Sequence, residues 1–371
     1  MFRMDPQKRK ETVTGPAIVA VANSMRAFDA PVRNPMLMSS LPTDFWWNPS
    51  SQNLVVALKL SGLSSLVVTI EHIIGALIIT PFILFRRGKY HLISVLRQLN
   101  KNEWISLVFI SLGSGLGLYF FLISFGMGNP SVAILIQKTQ PVITLFVAMI
   151  ILKERPTKFY YVAVIFALLG VYLIAIENIL NANAFEFVAA LCSLIAAIFW
   201  GSNTVFGRLL TEKTDYWDLT AFRYIGGSII LIFFLIPQIL YIIAYTPDNL
   251  NFLGTVYITF PEFKLFQIPM WGITCILYAT IFTGGIIPLV LYYYGLRWSK
   301  ASVGGLAELA FPLLAIFVNF YALGFGLSET QILGAIILFG VVSAMTYINK
   351  KEYEKDESNR KIQEGNKIAE S

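Results

Sequence analysis

Charge is what this chain has least of. Asp, Glu, Lys and Arg make up 13% of its 371 residues, where a soluble domain carries about a quarter. Hydrophobic residues reach 56% and aromatic residues 14%. A soluble core cannot hide so large an apolar share, so the composition implies a polytopic membrane protein. Cysteine is nearly absent: Cys192 and Cys275 both lie in apolar runs, which excludes a disulfide framework and a thiolate metal cluster. With His72 and His91 the only histidines, no nucleophile–base or metal constellation is laid out. Catalytic residues, metals and cofactors are therefore not expected. No phosphate-binding Gly-x-x-x-x-Gly-Lys-Ser/Thr loop occurs, so ATP is not the driving force. An Asn-x-Ser/Thr acceptor is missing too, because Asn48 and Asn129 are each followed by Pro. The first apolar run is short and is followed by charges, unlike a cleavable leader.

What is there is a series of apolar runs. Nine clear spans fall at about Leu63–Phe85, Trp104–Phe125, Ser131–Leu152, Phe159–Ile176, Phe185–Leu209, Leu219–Tyr245, Pro269–Leu296, Ala301–Leu323 and Thr330–Ile348. Each is near the ~20 residues that cross a bilayer. A weaker span, Val13 to about Met38, precedes them and carries Asn23, Arg26, Asp29 and Arg33. The expected fold is an all-α integral membrane protein of ten transmembrane helices.

Basic residues orient it. With the N-terminus inside and the spans alternating, 22 of the 28 Lys and Arg fall on inside segments. Two, Lys59 and Lys264, fall outside, and four lie within spans. That bias places both termini in the cytoplasm, and a plasma-membrane location is expected. The net charge of +6 thus reflects topology, not nucleic acid.

An internal repeat organises the spans. Ser302, Glu308 and Pro312 repeat Ser131, Gln137 and Pro141 at an offset of 171 positions. Thr69–Gly75 aligns with Ala221–Gly227, and Arg26–Asp29 with Trp200–Asn203. Residues 13–178 make the first repeat, with a long outer loop at 39–62. Residues 185–349 make the second, with a long outer loop at 246–268. Tails 1–12 and 350–371 are cytoplasmic. Five spans per repeat insert the second copy upside down, and inverted repeats place a binding site near the midplane.

These residues resemble the drug/metabolite transporter superfamily, specifically its EamA-type ten-helix members. The resemblance rests on Trp200-Gly201-Ser202-Asn203, the Phe222-Arg223 step, Leu291-Tyr292-Tyr293-Tyr294-Gly295-Leu296 and Leu152-Lys153-Glu154-Arg155. It rests also on the twice-occurring Ser-x5-[Gln/Glu]-x3-Pro pattern. It covers residues 60–349 well and 14–40 weakly. The implication is a bundle of two inverted repeats moving a small solute by alternating access. The chain departs from the pattern at Glu154, whose counterpart is Phe325, and at Glu71-His72, where many relatives carry Arg.

A charge at membrane depth must face a cavity or a partner. The ionisable residues that fall there are Arg26, Asp29, Glu71, His72, Lys138, Arg223 and Glu308. Arg223 can hold a carboxylate or phosphate in two parallel hydrogen bonds, or pair with its repeat mate Glu71. His72 can serve proton coupling or simply pack. Pro141 and Pro312 kink their helices and free the carbonyls of Gln137 and Glu308, beside Gln140 and, three turns from Glu308, Asn319. Lys138 either snorkels outward or joins the cavity. Asn203 is a polar wall candidate, with Trp200 an aromatic one. Gly113, Gly115, Gly117 and the Gly284-Gly285 pair read as close helix contacts.

The function expected is a secondary transporter of a small metabolite, an amino-acid-like zwitterion or organic ion, proton-coupled or exchanging. The alternatives are a non-transporting receptor or scaffold and, behind it, an intramembrane lipid-modifying enzyme. Expected partners are the solute and the lipid bilayer, with the chain a monomer or homodimer.

Overall fold

The computed structural model describes residues 6–28, 54–127, 136–179, 184–245, 274, 276–311 and, with gaps, 314–351. Every regular element among the described residues is helical. Helix α1 runs Pro6–Ser24 and continues as a 3₁₀ turn, Met25–Phe28. Pro6 opens it where a missing N–H costs nothing. Next come α2 (Leu54–Arg87), α3 (His91–Gln98) and α4 (Lys101–Met127). They are followed by α5 (Gln140–Ile151), α6 (Lys158–Ile179), α7 (Ala184–Leu210) and α8 (Tyr216–Tyr245). Then come α9 (Ile286–Arg297), α10 (Ala301–Ala307) and α11 (Ile332–Val341). Helix α2 begins before the expected Leu63, inside the segment expected as loop, because no Gly or Pro breaks the run from Leu54 to Ser61.

Five of these segments are long and apolar enough to cross a bilayer: Val67–Arg87, Lys101–Phe121, Ala190–Leu210, Tyr216–Ile236 and Ile276–Arg297. Their outer faces expose residues such as Leu77, Val108 and Phe233, as lipid contact requires. Inside, Val19, Ile79, Leu210, Leu219, Phe222 and Tyr293 share one core. Helix α4 packs on α7 and α8, α2 on α8, α5 on α7 and α10, and α1 on α9. The α1–α9 crossing depends on two glycines. A Cβ at Gly295 would sit 2.8 Å from the Gly15 carbonyl oxygen, and one at Gly15 would lie 2.8 Å from that of Gly295. Only bare backbones approach so closely.

Three helices are interrupted. Before α5, Ile136 and Gln137 are helical, and Lys138 and Thr139 form a turn. The Thr139 N–H reaches the Ile136 carbonyl at 3.0 Å. Pro141 then lies at the start of α5, where it displaces no internal hydrogen bond. After α10, Glu308 and Leu309 form the matching turn, with the Leu309 N–H 3.0 Å from the Leu306 carbonyl. Ahead of α9, a π-turn at Ala279–Thr283 ends on Gly284-Gly285. This corrects the reading of that pair as a helix–helix contact. A Cβ on Gly285 would overlap the Thr280 carbonyl of its own segment, so the glycine permits a fold-back within the span.

Candidate functional site

The two facing turns bring the polar residues of α5 and α10 together. Gln137 Nε2 donates to Gln140 Oε1 at 2.7 Å, and Gln140 Nε2 donates to Glu308 Oε2 at 2.5 Å. From α7, Thr204 donates to Glu308 Oε1 at 2.8 Å. From α9, the Tyr292 hydroxyl lies 3.0 Å from the same oxygen and 2.9 Å from Thr204 Oγ1. A buried carboxylate is tolerated only when its oxygens are this well supplied with donors. Lys138 does not snorkel out. It is 6% exposed, and its Nζ stands 4.4 Å from the centroid of Phe311.

A second cluster lies next door. His72 Nδ1 is 2.9 Å from the Val68 carbonyl, which can only accept, so that nitrogen carries the proton. In the neutral ring Nε2 then accepts from Ser114 Oγ at 2.8 Å. Ser114 in turn accepts from Arg223 Nε at 2.9 Å, and Arg223 Nη1 donates to the Tyr293 hydroxyl at 3.4 Å. Adjacent tyrosines on α9 therefore serve different clusters, Tyr292 facing Glu308 and Tyr293 facing Arg223. The hydrogen bonds of Arg223 run to Ser114 and Tyr293, while Glu71 is buried on α2 beside His72.

Asn203 and Trp200 face α4 rather than the carboxylate. A Cβ at Gly113 would strike the Asn203 amide, and one at Gly117 would strike the Trp200 indole. Trp200 also meets the Phe121 ring edge-on at 5.1 Å. Both amide atoms of Asn203 and Oε1 of Gln137 are buried without a hydrogen-bond partner among the described residues. Pro312, Asn319, Asp29 and Arg33 lie outside the described residues. Thr204 and Ser114 were not singled out by the sequence, because lone hydroxyls in apolar helices carry no spacing signal.

One end of the bundle, rich in basic residues, is linked across by polar contacts. Arg87 pairs with Asp215 and Asp218, each at 3.1 Å, and His91 Nε2 lies 2.9 Å from Asp218. Lys213 pairs with Glu103 at 2.6 Å. Glu154, presented by a turn in which Lys153 adopts φ 52°, accepts from the backbone N–H groups of Ala301 and Ser302 at 2.7 and 3.1 Å. The Ser302 hydroxyl donates to it as well, at 2.6 Å.

Apolar spans around a buried polar site, with helices broken where that site forms, define a multi-pass α-helical membrane protein. The chain belongs to the EamA-like transporter family, whose profile matches residues 51–176 and 187–347 in tandem. It is 28% identical over 267 residues to the riboflavin transporter ImpX of Fusobacterium nucleatum subsp. nucleatum, across 68% of this chain and 80% of the relative. It is 22% identical over 246 residues to the uncharacterized transporter YoaV of Bacillus subtilis, across 65% of this chain and 75% of the relative. A solved crystal structure 14% identical in sequence superposes with a TM-score of 0.58, over 92% of this chain and 98% of the other, and shares the fold.

Proposed function

We propose that the protein is a secondary transporter that moves a small organic solute by alternating access. Ten helices in two inverted repeats, 13–178 and 185–349, would surround the site, with both termini in the cytoplasm and the chain in the plasma membrane. The reading rests above all on Glu308. Its carboxylate sits at a helix break and is reached by Gln140 from one family match and by Thr204 and Tyr292 from the other. Broken helices meeting at a polar centre are where transporters of this architecture hold solute. Among the described residues, Oε1 of Gln137 and both amide atoms of Asn203 lack a hydrogen-bond partner; Gln137 offers an acceptor at this centre, and Asn203 a donor and an acceptor on the α4 side of α7. Glu308 or His72 would carry the coupled proton.

Riboflavin heads the substrate panel, because the relative ImpX is named for it. Zwitterionic amino acids and organic anions come next. The experiment is counterflow in vesicles reconstituted with the whole chain. Uptake of at least one labelled solute should exceed that of empty vesicles, and Glu308→Gln and Arg223→Ala should each suppress it. A folded protein that a solute stabilises against heat, but that moves none of the panel, would be a receptor instead.

A further inference from the structure

The stretch from Arg86, at the end of α2, to Lys101, at the start of α4, holds five cations, Arg86, Arg87, Lys89, Arg97 and Lys101, and no acid. Arg87 is occupied by Asp215 and Asp218. The first acid beyond the segment, Glu103, is buried and taken by Lys213 and the Asn100 N–H. Arg86, Lys89, Arg97 and Lys101 are left exposed. Helix α3 is two-faced. Leu92, Val95 and Leu96 turn into the core, while Ile93, Ser94, Arg97 and Gln98 turn outward and, with Tyr90, line a depression of about 470 Å³. Past the turn at Leu99-Asn100, Lys101 heads a second groove of about 270 Å³, floored by Trp104, Ile105, Val108 and Phe109. This floor is part of a membrane-crossing segment, so it opens onto acyl chains. An apolar floor at membrane depth beneath cations is complementary to a lipid whose headgroup carries net negative charge. A zwitterionic lipid brings its own cation to the phosphate and gains less.

We propose that this surface is a binding site for an anionic phospholipid. Its phosphate is held between Arg97 and Lys101, and an acyl chain lies along the Trp104–Phe109 groove.

The test uses the full chain in detergent micelles, titrated with phosphatidylglycerol or phosphatidylcholine and followed by native mass spectrometry. Wild type should retain phosphatidylglycerol in preference to phosphatidylcholine. The double variant Arg97→Gln/Lys101→Gln should weaken that retention roughly thirty-fold, the strength of two cations at an anionic leaflet. Arg155→Gln/Lys158→Gln removes two exposed cations elsewhere and should leave retention unchanged. Trp104→Ser should weaken it without altering charge. Equal losses from both double variants would reveal diffuse attraction and overturn the site. Displacement of the lipid by glycerol phosphate at equal concentration, with Trp104→Ser silent, would overturn it in favour of a small-anion site. All five substituted positions are exposed, so an unchanged thermal midpoint verifies folding in each variant.

Discussion

At the scale of single residues, the buried carboxylate of Glu308 and the buried amide of Asn203 are opposite cases. Glu308 is surrounded by donors, so its partners matter for stability. Thr204→Val removes one donor and should cost about 1–3 kcal/mol, the usual penalty for leaving a buried polar group short of a partner. In a Glu308→Leu background the same change should be near neutral, and the difference between the two thermal or denaturant shifts measures the coupling. Equal costs in both backgrounds would place Thr204 outside the cluster. Asn203 has neither amide atom paired among the described residues. Replacing it with Leu, which matches its branching, should stabilise the empty protein by about 1 kcal/mol while lowering solute uptake. A fall in both would make Asn203 a packing residue. The sequence placed Gln137, Gln140 and Glu308 on two matching segments, because proline and polar residues recur there at one offset. It left Lys138 between two readings, since nothing local to Lys138 announces Phe311, 173 positions away, as its partner.

Among elements, the turn after α5 does something its repeat mate cannot. Glu154 caps α10, accepting from two backbone N–H groups and a hydroxyl. A carboxylate there also meets the positive end of the helix dipole. Glu154→Gln keeps the size and one acceptor but loses the charge and the second acceptor, and should cost about 1 kcal/mol in thermal or denaturant unfolding. Ser302→Ala should cost less, because both N–H contacts survive it. If Ser302→Ala is the more damaging, the hydroxyl rather than the cap holds the contact. The asymmetry behind this was visible in the sequence, where Glu154 stands against Phe325. Its purpose was not, because the capped helix begins 147 positions later. Hydropathy located the five long apolar spans, since lipid contact acts on composition alone. It missed the fold-back at Gly284-Gly285, which depends on a backbone carbonyl that composition does not describe.

For the whole molecule, the contacts at the basic end tie the two family matches together. Arg87, His91 and Glu103 lie in the first match, and Asp215, Asp218 and Lys213 lie in the second. Under the proposed alternating access this end must open, and on that reading these pairs hold one state against the other. Arg87 is the central member, because it meets two acids and one of them, Asp218, also meets His91. Part-buried charges in such a set are worth more than exposed pairs, whose contribution is ~0–1 kcal/mol. Arg87→Gln should therefore shift the population toward a state open at this end by about 1–2 kcal/mol, or five- to thirty-fold. Thr214, buried beside the cluster, supplies the reporter. In a background with Cys192 and Cys275 replaced by Ser, a Thr214→Cys protein should react slowly with a membrane-impermeant maleimide. Adding Arg87→Gln should raise that rate by the same factor, and high salt should raise it in the parent protein by screening the pairs. A rate that neither the substitution nor salt alters would mean that this end is held by its apolar core, with the ion pairs incidental to the transition.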